Sequence, residues 1–314
     1  MNEATFKNIT SEELFGDLRF HKEFQMFLNM KTTVLIFLFL FLIGNPLRAE
    51  CLSNEKIVEI INGSPYNPIE GISGDISLEE AYCSQKKYVK ILEKSMGKPI
   101  GYKVGFTGKA TQERFKIKTP ATGVLFKPMF IKNGSTINRD FGHRTLIEPD
   151  LLVVVKDSKI MESTTQLEAA KYLDTIHPFM ELPALQIKKG EPITGAVIVA
   201  INMVATKMVM GPGIPIQANQ EFINAMGEME TLFTDETNNV IQNAPGSSLL
   251  GNPMNVVLWL IEEFNSRGIT LQRGDRLSLG SVGKLFPLKE SNKKYTYTLS
   301  GLPGGPSSTN VVIK

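Results

Sequence analysis

Cysteine, histidine and tryptophan are scarce in this chain: two, three and one residue respectively among 314. Two cysteines cannot build an all-thiolate zinc site or a disulfide scaffold. His21, His143 and His177 lack metal-ligand spacing, so zinc chemistry is not expected. Charge of either sign is also missing in excess, with 34 Lys and Arg against 32 Asp and Glu. No basic run is interleaved with aromatics and no aromatic stripe occurs, which excludes nucleic acid as a partner. There is no phosphate loop and no nucleophile elbow; Gly211-Pro212-Gly213 reads as a turn, because no complete glycine fingerprint surrounds it. No repeat and no linker-like tract divides residues 50–314. The chain is 42% hydrophobic, enough to bury a proper core, and residues 50–314 read as one mixed domain with many strands.

Long apolar runs are absent with one exception. Lys31 is followed by Val34 to Ile43, then by the breaker Gly44-Asn45-Pro46 and by Leu47-Arg48-Ala49 with a small residue. That is the layout of a secretory signal peptide over residues 30–49. The run is half of the roughly 20 residues a spanning helix needs, and an uncleaved anchor or buried helix is the alternative. The stretch before it is unusually long. A start at Met30 is therefore expected, with residues 1–29 an untranslated extension or a leader. Cleavage after Ala49 would leave an exported chain, periplasmic or secreted, with no membrane attachment. Cys51 and Cys83 follow the cleavage point; in an oxidising compartment they form one disulfide or remain two unrelated thiols.

Local signals place most of the remaining elements. A Ser-capped helix spans 53–62, and Ser77 with Glu80 makes a capping box for a helix to about Lys94. Residues 99–107 read as a short strand in which Lys103 faces away from Tyr102 and Val104. A short helix is expected at 108–117, a turn at 119–123, strands at 124–126 and 129–131, and a hairpin-type turn at Asn133-Gly134. Thr165 to Ile176 reads as a helix. Strands are expected at 178–183, 228–233 and 240–241, within 269–288, and at 295–299 and 311–313. Pro253 to Ser266 is an amphipathic helix with Pro at its start and Arg267-Gly268 at its end.

The candidate chemistry centres on Leu146 to Val155, an apolar strand that opens with Glu148-Pro149-Asp150. Residues i and i+2 share a strand face, so the two acids stand about 6–7 Å apart in backbone terms. They repel unless a cation or a proton intervenes. A solvated strand entrance with two surface acids is the plain alternative. Glu181 is a single acid within an apolar strand, hard to bury unless it meets a charge or a metal.

The ordered set Gly101-Tyr102-Lys103-Val104-Gly105-Phe106-Thr107, Gly123-Val124-Leu125-Phe126, Ile147-Glu148-Pro149-Asp150, Pro178-Phe179-Met180-Glu181, Leu250-Gly251-Asn252-Pro253, Gly274-Asp275 and Gly280-Ser281 resembles the 2-keto-4-pentenoate hydratase family. The resemblance covers nearly all of residues 52–314. It implies an α+β fold, a mixed β-sandwich or roll of the fumarylacetoacetate hydrolase C-terminal type with flanking helices. It also implies that Glu148, Asp150 and Glu181 are metal carboxylates and that Lys103 is the catalytic lysine. Apart from the resemblance, Arg144 could contact a substrate carboxylate, and Asn202 and Ser281 are further candidates for substrate binding. Three acidic oxygens suit Mg²⁺ or Mn²⁺. A homo-oligomer is usual in that family.

Departures accompany the match. Ala121 stands where the hydratases carry an Asp, Asn252 where they carry a His, and Asp150 where Glu is usual. Ile201 replaces an Asp and Leu279 a Thr. The expected function is a divalent-metal-dependent hydratase or lyase acting on a small 2-oxo or 2-hydroxydienoate acid. The alternatives are an exported, non-catalytic or weakly active binder of small carboxylic acids, and an acylpyruvate-type C–C hydrolase or 2-oxo acid decarboxylase.

Overall fold

Apolar runs such as 146–155 and alternating stretches such as 293–300 give this chain its strands, and two sheets result. The computed structural model describes residues 51–314; the expected leader at 1–29 and signal peptide at 30–49 lie outside the described residues, as does His21. In chain order the helices are α1 (Asn54–Gly63), α2 (Leu78–Met96), α3 (Lys109–Arg114), α4 (Gln166–Lys171), α5 (Gly195–Ala200), α6 (Gln220–Glu228) and α7 (Pro253–Ser266). The strands are β1 (Pro99–Gly105), β2 (Ala121–Phe126), β3 (Phe130–Ile131), β4 (Thr136–Ile137), β5 (Leu146–Val155), β6 (Leu173–Leu182) and β7 (Lys207–Met210). They continue with β8 (Ile214–Pro215), β9 (Glu230–Thr234), β10 (Val240–Pro245), β11 (Arg276–Ser281), β12 (Phe286–Pro287), β13 (Lys293–Ser300) and β14 (Ser307–Ile313).

The larger sheet has the order β2-β1-β11-β5-β6-β7-β3, with β12 added on β5 and β8 on β6. The smaller runs β10-β9-β13-β14-β4. Pairings are antiparallel apart from β1 with β11, β3 with β7 and β4 with β14. The fold is therefore α+β, with two mixed sheets and flanking helices.

Each face of the larger sheet buries its own core. Ile147, Leu151 and Val153 of β5 with Met180 and Leu182 of β6 face the smaller sheet and helices α4, α6 and α7. Leu152 and Phe179, one residue out of phase, face α1, α2 and α5. This strict period of two is what strand geometry demands of a sheet covered on both sides. The candidate site lies on the second face.

The caps form as the sequence suggests. Ser53 accepts from Lys56 N, and Ser77 and Glu80 close a reciprocal capping box on α2. Asn252 caps α7 with Pro253 in its first turn. Three local expectations fail. The helix expected to reach Ile176 ends at Lys171, because residues 173–176 pair with β5 and strand pairing overrides local propensity. Asn133-Gly134 turns the chain, with Gly134 at φ 80°, but joins no hairpin: β3 pairs with β7 and β4 with β14, in different sheets. The turn at 119–123 is shorter than expected, since β2 already starts at Ala121. No helix among the described residues is long and apolar enough to cross a membrane.

Cys51 and Cys83 are bonded, with their Cα atoms 5.5 Å apart and a sequence separation of 32. Ser84 Oγ accepts from Leu52 N and Lys87 donates to Leu52 O, so the first described residues are fastened to α2. Closing a loop of that size stabilises the folded chain by about 3–4 kcal/mol on the chain-entropy model. Denaturant melts of the Cys51→Ser, Cys83→Ser double variant should show a loss of that order; an unchanged midpoint would mean that the bond contributes nothing.

Candidate active site

Strand register assembles the site. β5 and β6 are antiparallel with Glu148 opposite Glu181, and Asp150 lies two residues further along the same face. On the other side of β5, Ser278 of β11 pairs with Leu152 and Ser281 with Asp150. Three steps on β11 against two on β5 make a bulge at Leu279-Gly280, where Gly280 takes φ 102°. Lys103 of β1 sits opposite Ser278. Residues from four adjacent strands thus share one face over a span of the whole fold's sequence. Pro149 sits inside this central strand despite having no N–H, and its carbonyl still accepts from Val282 N at 3.2 Å.

The polar atoms form a closed set. Lys103 Nζ is ion-paired with Glu181 Oε2. Ser278 Oγ lies 2.8 Å from Glu181 Oε1 and 2.9 Å from Asp150 Oδ2, and Gly280 N donates to Asp150 Oδ1 at 3.1 Å. Lys103 is 4% exposed, and Asp150 and Glu181 are 1% exposed. Glu148 is half-buried. Burial, then Glu181, pushes the Glu148 carboxyl up to about 7, with the Lys103 charge and then the Ser281 hydroxyl pulling the other way. Burial, then Glu181 and Glu148, likewise holds Asp150 well above the usual carboxylate range. Burial pulls the Lys103 ammonium down, but the charges of Glu181 and Glu148 outweigh it and hold it above its ordinary value.

Two features bear on whether a cation fits. Three carboxylates face a single ammonium, and burying that excess of negative charge is costly. The one proton of Ser278 also cannot serve Asp150 and Glu181 at full strength together. Either an acid takes up a proton or a cation joins the set. The hard oxygen donors suit a divalent ion such as Mg²⁺ or Mn²⁺. Among the described residues, however, no three acid, histidine or cysteine side chains are gathered closely enough to ligate one ion as they stand. Lys103, Ser278 and Gly280 occupy the oxygens instead.

The other site expectations are placed as follows. Ser281 lies beside Asp150 in the register, and its hydroxyl meets Glu148. Arg144 is exposed and donates to Ile187 O at 3.3 Å, outside the carboxylate set. Both ends of the Asn202 carboxamide are engaged by Val124: N to Oδ1 at 2.7 Å and Nδ2 to O at 2.9 Å. Among the departures, Leu279 packs in the opposite core, and Asn252 is spent on Met254 N and Ile223 O. Neither substitution strips polar groups from the carboxylate face. Ala121 and Ile201 are buried in the apolar core on that face. Ser278 was missed by motif; its place two residues before Gly280 on a strand was the available signal.

No protein-family model matches the chain. In sequence it is 23% identical over 228 residues to 2-keto-4-pentenoate hydratase of Paraburkholderia xenovorans (strain LB400), covering 73% of this chain and 82% of that protein. It is 23% identical over 259 residues to 2-keto-4-pentenoate hydratase 1 of Dechloromonas aromatica (strain RCB), covering 81% and 96%. Among solved structures it resembles 4-oxalocrotonate decarboxylase from Pseudomonas putida G7, complexed with magnesium and adipate, with TM-score 0.72 and 17% identity, over 84% of this chain and 100% of that one.

The raised Glu148 gives a test. Folding takes up a proton between the ordinary 4.5 of the unfolded chain and about 7. Metal-free protein is therefore most stable on the acid side of that window and loses up to about 3 kcal/mol as pH rises through 7. Thermal melts in chelator should fall in Tm between pH 5 and 7.5, and the loss should be smaller in Glu148→Gln.

Proposed function

The chain is related to the 2-keto-4-pentenoate hydratases and shares a fold with 4-oxalocrotonate decarboxylase, and on that premise we propose that it is a divalent-metal-dependent hydratase of a small 2-oxo or 2-hydroxydienoate acid. The observation that carries this reading is the pairing of Glu148 with Glu181, with Asp150 on the same face and Lys103 ion-paired to Glu181. The relatives' names supply the reaction class, and the magnesium complex of the solved neighbour supports the metal. Glu148, Asp150 and Glu181 would hold Mg²⁺ or Mn²⁺, which supplies Lewis-acid charge to a 2-oxo acid's oxygens.

The chain's own residues do the rest. Lys103 Nζ, held protonated in a buried place, donates to a substrate oxygen and carries the proton that water addition requires moving. Ser278 and the Gly280 amide fix the orientation of Asp150 and Glu181. The apolar surroundings, Phe179 and Met208 among them, keep bulk water from the charged groups, where electrostatic interactions are then stronger.

A second reading has its own support. Ala121 and Ile201 are apolar and buried on this face, so neither position supplies a group for proton transfer. An exported binder of small carboxylic acids would keep the acids without needing turnover. The Cys51–Cys83 bond supports the export part of the proposal, since disulfides persist in oxidising compartments.

Purified residues 50–314 with Mg²⁺ or Mn²⁺ should remove the absorbance of a 2-hydroxydienoate. Chelator should abolish the activity, and Lys103→Met should lower kcat about 10²–10⁴-fold. Metal binding without turnover of the dienoate would favour the binder. Turnover of an acylpyruvate alone would move the assignment to C–C hydrolysis, and failure to bind either ion would overturn the metal reading. Recovery of protein from periplasm or medium with its N-terminus near Glu50 would support export; a cytoplasmic chain starting at Met30 would contradict it.

A further inference from the structure

Backbone strain gathers around the end of β1 that carries Lys103. Asn202, Met203 and Val204 follow one another in the left-handed region with φ 55°, 55° and 50°, and Phe106 joins them at 61°. Non-glycine residues seldom enter this region, β-branched ones least of all. A run of three persists only where surrounding contacts over-determine it, and such strain concentrates at functional sites.

The contacts that impose it are visible. The Asn202 carboxamide grips the Val124 backbone on both sides, anchoring the turn to β2. Met203 then descends onto the sheet where glycines leave room. Gly123 pairs with Lys103 across β1 and β2. A Cβ on Gly123 would lie 2.8 Å from Met203 Cβ, 3.0 Å from Met203 Cγ and 3.0 Å from Lys103 Cγ. A Cβ on Gly105 would collide with Met203 Cε. Met203 itself is 4% exposed.

We propose that Met203 is a positioning residue: the strained turn lowers its thioether chain beside the stem of Lys103, holding the ammonium on Glu181 and sealing the pair from water. An unbranched, adaptable side chain suits this irregular gap between two glycines and an aliphatic stem. The strain of the turn is thereby explained by what it delivers, since a relaxed turn would not bring residue 203 down onto β1 and β2.

The test is amine labelling of the folded, metal-free chain by reductive methylation, read lysine by lysine by mass spectrometry. Met203→Ala and Met203→Gly both remove the side chain. The glycine variant also relaxes the left-handed backbone and so keeps the experiment decisive should the alanine variant fail to fold. Lys103 should label at least about tenfold faster in both variants while the other lysines keep their rates, and Met203→Leu should restore protection. The kinetic arm rests on the proposed role of Lys103: kcat should fall about 10²-fold with KM little changed. Wild-type labelling of Lys103 in folded Met203→Gly overturns the proposal. So does a uniform rise at every lysine, which would report general loosening. Faster labelling of Lys103 with kcat unaltered would uphold the positioning and remove Lys103 from catalysis.

Discussion

An excess of buried negative charge governs this molecule. Three carboxylates and one ammonium share a face of the larger sheet from which water is largely shut out. Such a set is stable only if something cancels the excess. In the structure the cancelling is incomplete. Lys103 answers Glu181, Ser278 is divided between two acids, and the carboxyls of Glu148 and Asp150 are forced toward protonation. That disadvantage is what the proposed cation would relieve.

The rest of the fold serves that placement. Antiparallel pairing of β5 with β6 sets Glu148 against Glu181, and slipping either strand by one residue would turn that strand's acid toward the opposite core. The bulge in β11 turns the Gly280 amide toward Asp150. The two flanking cores hold the sheet from both sides, and α2 braces β2 through Gln85, which donates to Thr122 O and Val199 O. Tyr82 accepts from Thr122 N on the same helix, one residue from the disulfide at Cys83. The strand opposite Lys103 is thus fixed by a helix that is itself tied to the start of the described chain.

Much of this was legible in the sequence because it is local. The period of two in β5, the Ser77–Glu80 box and the Pro253 start of α7 depend on residues a few positions apart. The same locality misled at 173–176, where helix-like residues are taken by a strand partner some twenty positions away. At the site, the i, i+2 acids declared themselves, and Glu181 did so by being charged within an apolar run. Ser278 and Met203 did not. One bonds to an acid 128 positions away through a bulge, and the other matters only because a three-residue left-handed turn brings it over Gly123. Arg144 and Asn202 show the converse: polar groups close to the motifs whose hydrogen bonds go to the Ile187 and Val124 backbone.

The measurement that bears most directly on the charge argument is calorimetric titration of the metal-free protein with Mn²⁺ near pH 6.5, in two buffers of different ionisation enthalpy. The account predicts saturable binding accompanied by proton release, as an acid held protonated by its neighbours gives way to the ion, with both signals lost in Glu181→Gln. Binding without proton release, or no binding to a folded chain, would contradict it.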